Sequence, residues 1–455
     1  MSSDRRSFLA RLPVLGAAPA AAEAAPRSKS LVDRLFAVFD ALEIVDTHEH
    51  TALEQKRLSE PADFFALASH YLMGDVVSSG LPKSAQDVVN DRKAAAAARW
   101  SAFEPCWHNC RFTGYGQALR ITIRDLYGVE EISASSVTTI NERIAARLRP
   151  GLYRWVFKER ARIRRAIVDD NYNAAPMKLD PEFFVPARKF DRFVTPQTPK
   201  AVGELEQLTG VGITNLGGLK QAMEKSFAQS VAVGMAAVKS TIAYNRNLEF
   251  REVSEADATR DFEGMMRGER PLPDGFRRLC ERPFRNLEDH MFHHLIRLAE
   301  AHNYPVQLHT GLHAGPNFIT NSNPTLLTNL FLLYPKVRFD LFHIGYPYQS
   351  ELAVLAKMFP NVYVDFCWAH IIAPGVSRRA LHECLETVPL NKIMGFGGDY
   401  NFAELSYGHA KMARRNIAQV LAGNVEAGIH SEDDAAQIGR MLLCDNPLAL
   451  FPLAK

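Results

Sequence analysis

Two histidines placed two residues apart, His48 and His50, end the short β-branched run that begins at Ile44. Alternate side chains of a strand point to the same face, so both imidazoles can reach one ion while Glu49 points the opposite way. Imidazole nitrogens are frequent ligands of transition metals. Two surface histidines would show the same spacing, but a position at the end of a strand favours a metal site.

Four more side chains of ligand type follow later strand-like runs. They are Lys239 late in the run 231–242, His309 at the end of 306–309, His343 at the end of 337–343, and Asp399 just after 393–396. Each has an ordinary alternative: a lysine whose amine reaches solvent, hydrogen-bonded core histidines, and an aspartate that caps the next helix. Together with the first pair, their common position at strand ends favours one metal centre.

The elements that must position these groups are short strands separated by helices. Strand-like runs lie at residues 44–48, 166–168, 183–194, 231–242, 306–309, 337–343, 362–366 and 393–396. Helical spacing of apolar residues between most of them indicates parallel pairing through right-handed crossovers. Eight strands close a (β/α)8 barrel, whose enzymes place their chemistry at the carboxyl ends of the strands. We therefore predict an α/β TIM barrel formed by residues 25–50 and 165–455.

The first two predicted strands are separated by a long stretch, residues 51–164, that is largely helical in pattern. We expect it to be a helical insertion that covers the mouth of the barrel as a lid. It contains Cys106 and Cys110, which could form a disulfide or, with His108, bind zinc. Two unpaired cysteines on one helical face are the favoured interpretation.

The amino terminus resembles a bacterial twin-arginine export signal. Arg5 and Arg6 precede Phe8-Leu9, a weakly apolar Ala-rich stretch and the pattern Ala22-Glu23-Ala24. The alternative is an Ala- and Pro-rich tail with a chance arginine pair. We predict a signal peptide at residues 1–24 and a periplasmic location.

Composition limits the partners. The 455 residues include 53 basic and 51 acidic side chains, for a net charge of +2, and 47% are hydrophobic. This balance gives no electrostatic reason to expect nucleic acid or a membrane surface as a partner. It favours a small-molecule substrate and is compatible with a homo-oligomer.

The motifs together resemble the metal-dependent amidohydrolase superfamily. They are Asp46-Thr47-His48-Glu49-His50, the strand-end His309 and His343, Gly397-Gly398-Asp399, and a closing segment from Asp445 to Phe451 that is similar to the usual carboxy-terminal helix. The run from Lys239 to Arg246 and the long insertion are similar to the amidohydrolase-related branch. That branch includes the amidohydrolase domain fused to glutamine-synthetase-like proteins and is akin to uronate isomerases. The resemblance covers the chain from about residue 40 to its end.

The resemblance implies a role for each ligand-type residue. His48, His50 and Asp399 would bind a first metal, with Asp399 also accepting a proton from water, and His309 would be a further ligand. His343 would complete a second metal or hydrogen-bond the attacking water and the developing oxyanion. Lys239 stands where two-metal members carry a carboxylated, bridging lysine, and without that modification it would be a cation near the substrate. One or two divalent ions are expected, Zn²⁺ first, with Mn²⁺, Fe²⁺ or Co²⁺ as alternatives.

The reaction that these roles imply is hydrolysis of a C–N or C–O bond in an amide, ester or lactone, with Asp399 and His343 as catalytic residues. Arg246 could clamp a substrate carboxylate, with a surface arginine as the alternative, and Tyr244 and Trp368 could line an aromatic pocket. A decarboxylase or a uronate-isomerase-like enzyme of the same superfamily is an alternative function. A periplasmic binding protein with a structural metal is another.

Overall fold

The computed structural model describes residues 29–51, 53–60, 63–169, 179–269 and 282–453. Eight parallel strands form one sheet in which each strand pairs with the next in chain order. They are β1 Ile44–Glu49, β2 Ile163–Asp169, β3 Phe184–Lys189, β4 Ala237–Ser240, β5 Val306–His309, β6 Phe339–Phe342, β7 Val362–Asp365 and β8 Ile393–Met394. The segment after β8 returns to β1, where the Thr47 amide donates to the Phe396 carbonyl at 3.2 Å. The predicted (β/α)8 TIM barrel is confirmed, and residues 1–24, the predicted signal, lie outside the described ranges.

Helices surround the barrel. They are α1 Leu31–Ala41, α2 Glu54–Leu58, α3 Phe64–Ala68, α4 Tyr71–Ser78, α5 Lys83–Asn90, α6 Ala96–Cys110, α7 Gly114–Tyr127, α8 Val137–Arg147, α9 Asp191–Val194, α10 Pro199–Thr209, α11 Leu216–Ala232, α12 Glu255–Met266, α13 Arg285–Ala301, α14 Thr328–Leu333, α15 Gln349–Met358, α16 Ala369–Ile372, α17 Pro374–Thr387, α18 Ala403–Glu426, α19 Glu432–Arg440 and α20 Asn446–Leu450. In the described part of the chain, no helix combines the length and the apolar character that crossing a membrane requires.

Two of the predicted strand runs are too long. The run 231–242 begins inside α11, and β4 covers only Ala237–Ser240; the run 183–194 ends in α9, after β3 has stopped at Lys189. Apolar residues also form the inner face of α11, so hydrophobicity alone does not mark where the helix gives way to the strand. The border is set by Gly234, whose φ of 76° turns the chain from α11 towards β4.

The stretch between β1 and β2 contains α2 to α8 and packs on the barrel helix α18. A Cβ on Gly408 of α18 would lie 2.3 Å from the Ala118 carbonyl oxygen of α7, so glycine permits this close approach of the two helices. The buried ion pair from Arg57 Nη2 to Glu404 Oε1, at 2.6 Å, ties α2 to the same barrel helix. These contacts fix the helices of this stretch against the barrel.

Cys106 and Cys110 both lie buried on α6 and are free thiols. The favoured interpretation as two unpaired cysteines on one helical face is confirmed. The side chain of His108 is 57% exposed and lies 3.9 Å from Glu104. It therefore points towards solvent, away from the buried thiols.

Candidate metal centre

The carboxyl ends of the strands surround a cleft with a volume of about 200 Å³. The side chains that line it are His48, His50, Tyr71, Lys189, Lys239, Thr241, Tyr244, His309, His343 and Asp399. The six residues predicted as metal ligands are all among them. Residues as far apart in the sequence as His48 and Asp399 thus meet at one end of the barrel, as the barrel geometry requires.

The first group of donors joins β1 to the segment after β8. His50 Nε2 lies 3.0 Å and His48 Nε2 lies 3.7 Å from Oδ1 of Asp399. Asp399 has a φ of 57°, in the left-handed region that is rare for residues other than glycine. Its amide donates to the His48 carbonyl at 2.8 Å, which holds the strained residue beside β1.

Two buried carboxyl groups of β1 support that strained segment from behind. Asp46 Oδ1 accepts from the Gly398 amide, and Glu49 Oε2 accepts from the Tyr400 amide, both at 2.9 Å. Burial raises the pKa of Glu49 to about 7, and burial together with the charge of Glu49 raises the pKa of Asp46. A Cβ on Gly398 would lie 1.8 Å from Glu49 Oε1. Gly398 therefore lets these carboxyl groups pack against the backbone that positions Asp399.

A second group of donors comes from β5 and from the residue after β6. His309 Nε2 lies 2.9 Å from the Leu312 carbonyl oxygen, and His343 Nδ1 lies 3.0 Å from the Cys367 carbonyl oxygen. A carbonyl only accepts, so these two nitrogens carry the ring protons. The remaining nitrogens, His309 Nδ1 and His343 Nε2, face each other at 3.1 Å with lone pairs when both rings are neutral. Such a pair is stabilised by a cation or a proton beside it.

The protonation states match the needs of a metal site. Burial and the charge of Lys239 lower the pKa of His48 well below its ordinary value, and burial lowers that of His343 to about 3. Neutral imidazole is the form that binds metals. Within the described residues, the buried Nδ1 of His48 has no hydrogen-bond partner. Imidazole nitrogens beside the Asp399 carboxylate therefore form a donor set that can hold a divalent metal ion.

Two lysines line the same cleft. Lys239 is buried, with Nζ 3.9 Å from the centre of the Phe342 ring, where a cation–π contact stabilises an ammonium. Burial lowers the pKa of Lys239, which favours the neutral amine that carboxylation needs. Lys189, at the end of β3, forms a buried ion pair with Asp169 at the end of β2. Asp169 Oδ2 also lies 3.7 Å from His50 Nδ1, which places this pair beside the first group of donors.

Asp169, Lys189 and Tyr71 belong to the site but were not among the sequence predictions. Asp169 directly follows the predicted run 166–168, so its strand-end position was a usable signal. Lys189 lay inside the overlong run 183–194, which concealed that β3 ends there. Tyr71 reaches the cleft from α4 of the insertion, and no pattern in that helical stretch distinguishes it.

The predicted substrate-binding role of Arg246 is wrong. Its side chain is fully buried and bonded to α13, with Nη2 at 2.6 Å from Asp289 Oδ1 and Nη1 at 3.2 Å from Glu288 Oε2. It also donates to the carbonyl of Glu249 at 2.7 Å. After Lys239 the chain turns through a short 3-10 helix, Ile242–Tyr244, and this turn directs Arg246 away from the cleft.

The aromatic residues form one wall of the cleft. Tyr244 lines it, with its ring centre 4.7 Å from that of His309. Trp368, which has a φ of 62°, lies behind the lining residues, with its ring 5.0 Å from His343 and stacked on Tyr71 at 4.5 Å. Trp368 therefore positions two residues of the cleft through its ring contacts.

The chain is similar in sequence to several known proteins. Residues 261–453 match a family model described as Amidohydrolase. A segment of 224 residues is 30% identical to the protein fluG of Emericella nidulans, covering 47% of this chain and 25% of that protein. A uronate isomerase of Brucella canis is 24% identical over 449 residues, covering 92% of this chain and 96% of its own.

The crystal structure of a uronate isomerase from Thermotoga maritima superimposes with a TM-score of 0.75 over 92% of this chain and 97% of that one, at 18% identity, a likeness in fold. Residues 261–453 thus carry the amidohydrolase family pattern, and the chain is similar in sequence to uronate isomerases over most of its length. The match spans about a quarter of the length of fluG and nearly all of the Brucella isomerase.

Proposed function

We propose that the protein is a metal-dependent hydrolase that cleaves a C–N or C–O bond in a small organic amide, ester or lactone. The observation that carries the proposal is the placement of Asp399. Its Oδ1 lies 3.0 Å from His50 Nε2, and its Oδ2 lies 3.8 Å from His343 Nε2, at the floor of an open cleft. One carboxylate thus lies beside the proposed metal ligands and beside a neutral imidazole that can share a proton.

His48, His50 and Asp399 would hold the ion, with His309 and His343 available on the opposite side. When bound, a divalent metal polarises a substrate oxygen and lowers the pKa of a water ligand from 15.7 to about 7. An open cleft next to the donors favours catalysis over a purely structural metal, because a structural site closes all four coordination positions with protein ligands.

The chain's own residues supply the proton transfers. Burial alone would raise the pKa of Asp399, but the hydrogen bond from His50 and the nearby cationic groups hold it below its ordinary value. Asp399 is therefore ionised at neutral pH and can accept a proton from water, then return it to the leaving amine or alkoxide. His343 keeps Nε2 available as an acceptor because Nδ1 donates to the Cys367 carbonyl.

The cleft limits the substrate to a compact molecule. Its volume is about 200 Å³, and Tyr71 and Tyr244 supply aromatic surface. Lys239 gives the floor a positive charge if its amine is not carboxylated. A small organic substrate that offers a carbonyl oxygen towards Lys239 and the metal ligands fits this surface.

A uronate-isomerase-like activity is the second candidate, because the uronate isomerases match the chain over more than nine-tenths of its length. Isomerisation uses the same residues differently: Asp399 or His343 would move a proton between adjacent carbons, and no water would enter the product. The two candidate reactions therefore differ in whether an oxygen atom from water enters the product.

The deciding experiment is metal analysis of the purified protein, followed by assays in H₂¹⁸O. The panel should contain N-acyl amino acids, γ-glutamyl amides, lactones, aromatic carboxylates and uronates. Hydrolysis places one ¹⁸O atom in the carboxylate product. Isomerisation of a uronate adds no ¹⁸O to the product, except by exchange of the carbonyl oxygen with solvent. A control without enzyme measures that exchange. No bound transition metal, or unchanged turnover in His48→Ala, would refute both candidates.

We propose, further, that the protein is exported by the twin-arginine pathway, on the pattern at residues 1–24. Replacing Arg5 and Arg6 by lysine should stop the full-length protein from reaching the periplasm. Undisturbed export of that double variant would contradict the proposal.

A further inference from the structure

We infer that the Cys367 thiol is a ligand of a second divalent ion, in a site that it forms with His343 and Asp399 and that takes a thiophilic metal such as Zn²⁺. The inference rests on the proposed function because both sites share Asp399. It differs from the two-metal scheme implied by the resemblance, since here the two oxygens of Asp399 link the ions in place of a carboxylated Lys239, and a cysteine is a ligand of the second ion.

The geometry brings three different donors together. One ligand atom each from Cys367, His343 and Asp399 lies within 4.8 Å of the others, and all three side chains are buried. Ligand atoms this close reach one ion, at Zn–S and Zn–N lengths of about 2.0–2.3 Å, after small movements of their side chains. The three residues follow β6, β7 and β8 in turn, at the same barrel end as the first group of donors.

Asp399 links this site to the first one through its separate oxygens. Oδ1 is the atom nearest to His50 and His48, at 3.0 and 3.7 Å, whereas Oδ2 is the atom 3.8 Å from His343 Nε2. A carboxylate can offer one oxygen to each of two ions. The strained backbone of Asp399 holds the carboxylate in this two-sided position.

The thiol is held in place by its surroundings. The Cys367 amide donates to Asp365 Oδ1 at 2.6 Å, and its carbonyl accepts from His343 Nδ1 at 3.0 Å. A Cβ on Gly397 would lie 2.8 Å from Sγ and 2.7 Å from Cβ of Cys367. The absence of a side chain at Gly397 therefore makes the room that the thiol occupies inside the barrel.

The hydrogen bond from His343 to the Cys367 carbonyl also fixes the tautomer of His343 that a metal ligand needs. Because His343 donates through Nδ1 to Cys367, it keeps its Nε2 lone pair for the ion. Soft thiolate together with imidazole and carboxylate is a donor set that selects Zn²⁺ over Mg²⁺ or Ca²⁺. Formation of the metal–sulfur bond releases the thiol proton to solvent, so one S–H bond is exchanged for one metal–thiolate bond.

The test uses the full-length protein loaded with Co²⁺, which reports its own ligands. A thiolate ligand gives a sulfur-to-cobalt charge-transfer band in the near ultraviolet, whereas nitrogen and oxygen ligands give only the weaker visible bands. We expect this band in the wild type and its loss in Cys367→Ser, with the visible bands of the first site retained. Metal content should fall from about two ions to about one per chain.

Cys384→Ser is the matched control, because Cys384 is also a buried thiol but lies on α17, outside both groups of donors. It should keep the band and both ions. Cys367→Ala is the second variant, and circular dichroism of each variant verifies the fold. Lys239→Ala should retain both ions, which a lysine bridge would not allow.

The outcomes separate this inference from the proposed function. Wild-type protein that binds Co²⁺ and hydrolyses substrate without a charge-transfer band, or a band that persists in a folded Cys367→Ser variant, overturns the cysteine ligand and leaves the hydrolase standing. Wild-type protein that binds no Co²⁺ overturns both.

Discussion

Replacing Arg246 by methionine should destabilise the protein and leave substrate affinity unchanged in the folded fraction. The guanidinium is fully buried and pairs with Glu288 and Asp289 of α13, so its removal leaves two buried carboxylates with one partner fewer. Breaking a buried ion pair from one side costs about 3–5 kcal/mol. Arg282 and Arg251 remain bonded to these carboxylates, at 2.9 and 2.8 Å, which places the expected loss near the lower end of that range.

A loss of about 3 kcal/mol raises the equilibrium constant for unfolding on the order of 100-fold. Urea unfolding followed by tryptophan fluorescence measures it as a lower midpoint at unchanged slope. Arg251→Met is the matched control: it removes a partner of the same Asp289, but its side chain is 47% exposed, and such pairs contribute about 0–1 kcal/mol. A stable Arg246→Met variant with a raised KM would refute this reasoning and return Arg246 to the substrate site.

Three further predictions concern the segment after β8, the buried histidines and the metal. Gly398→Ala should lower metal occupancy several-fold, measured by mass spectrometry of bound metals, because the added Cβ would lie 1.8 Å from Glu49 Oε1 and displace Asp399. Burial lowers the pKa of His370 from 6.5 to about 4 in the folded protein, so the unfolded chain binds the extra proton and stability falls as the pH drops through this window. The loss is about 1.4 kcal/mol per pH unit for this histidine, measured by urea unfolding at a series of pH values. Chelation of the metal should lower the thermal midpoint and abolish turnover, and added Zn²⁺ should restore both.

Each of these has a control. A Cβ on Gly423 meets nothing within 4 Å, so Gly423→Ala should keep its metal, and an equal loss in both glycine variants would contradict the role given to Gly398. His370→Gln should lower the slope of stability against pH by about 1.4 kcal/mol per pH unit between pH 6.5 and 4, and an unchanged slope would argue against His370 as one of its sources. A chelated protein that keeps its thermal midpoint and its turnover would refute the dependence on metal.

The barrel and the histidine positions could be predicted from sequence because both depend on local patterns. Short apolar runs mark strands, and barrel geometry then collects their carboxyl ends, so His48, His309 and His343 could be assigned to one cleft from their places in the chain. The spacing of His48 and His50 added the face on which they lie. None of this needed knowledge of side-chain contacts.

The sequence predictions failed where long-range side-chain contacts decide the position of a residue. Nothing in the sequence near Arg246 shows that it pairs with Glu288 and Asp289, because those partners lie on α13, about 40 residues further on. Lys189 was concealed because apolar residues recur beyond it, at Phe190 and in the short helix α9, so the strand pattern continues past the end of the strand. The place of Tyr71 in the cleft depends on how the insertion packs, which is set by long-range contacts such as the one between Arg57 and Glu404.

The insertion between β1 and β2 has a consequence for the order in which the protein can fold. Ile44 of β1 pairs with Ile163 of β2, and the amide of Asp399 bonds to the carbonyl of His48. During synthesis β1 therefore emerges long before β2, its first neighbour in the sheet. Its contact with Asp399 can form only after most of the chain has been made. Contacts this far apart in sequence form slowly. The histidines of β1 meet Asp399 only when the barrel closes. Metal occupancy would then report completion of folding, and a nascent chain that stopped before residue 399 would carry the histidine pair without the carboxylate that completes the centre.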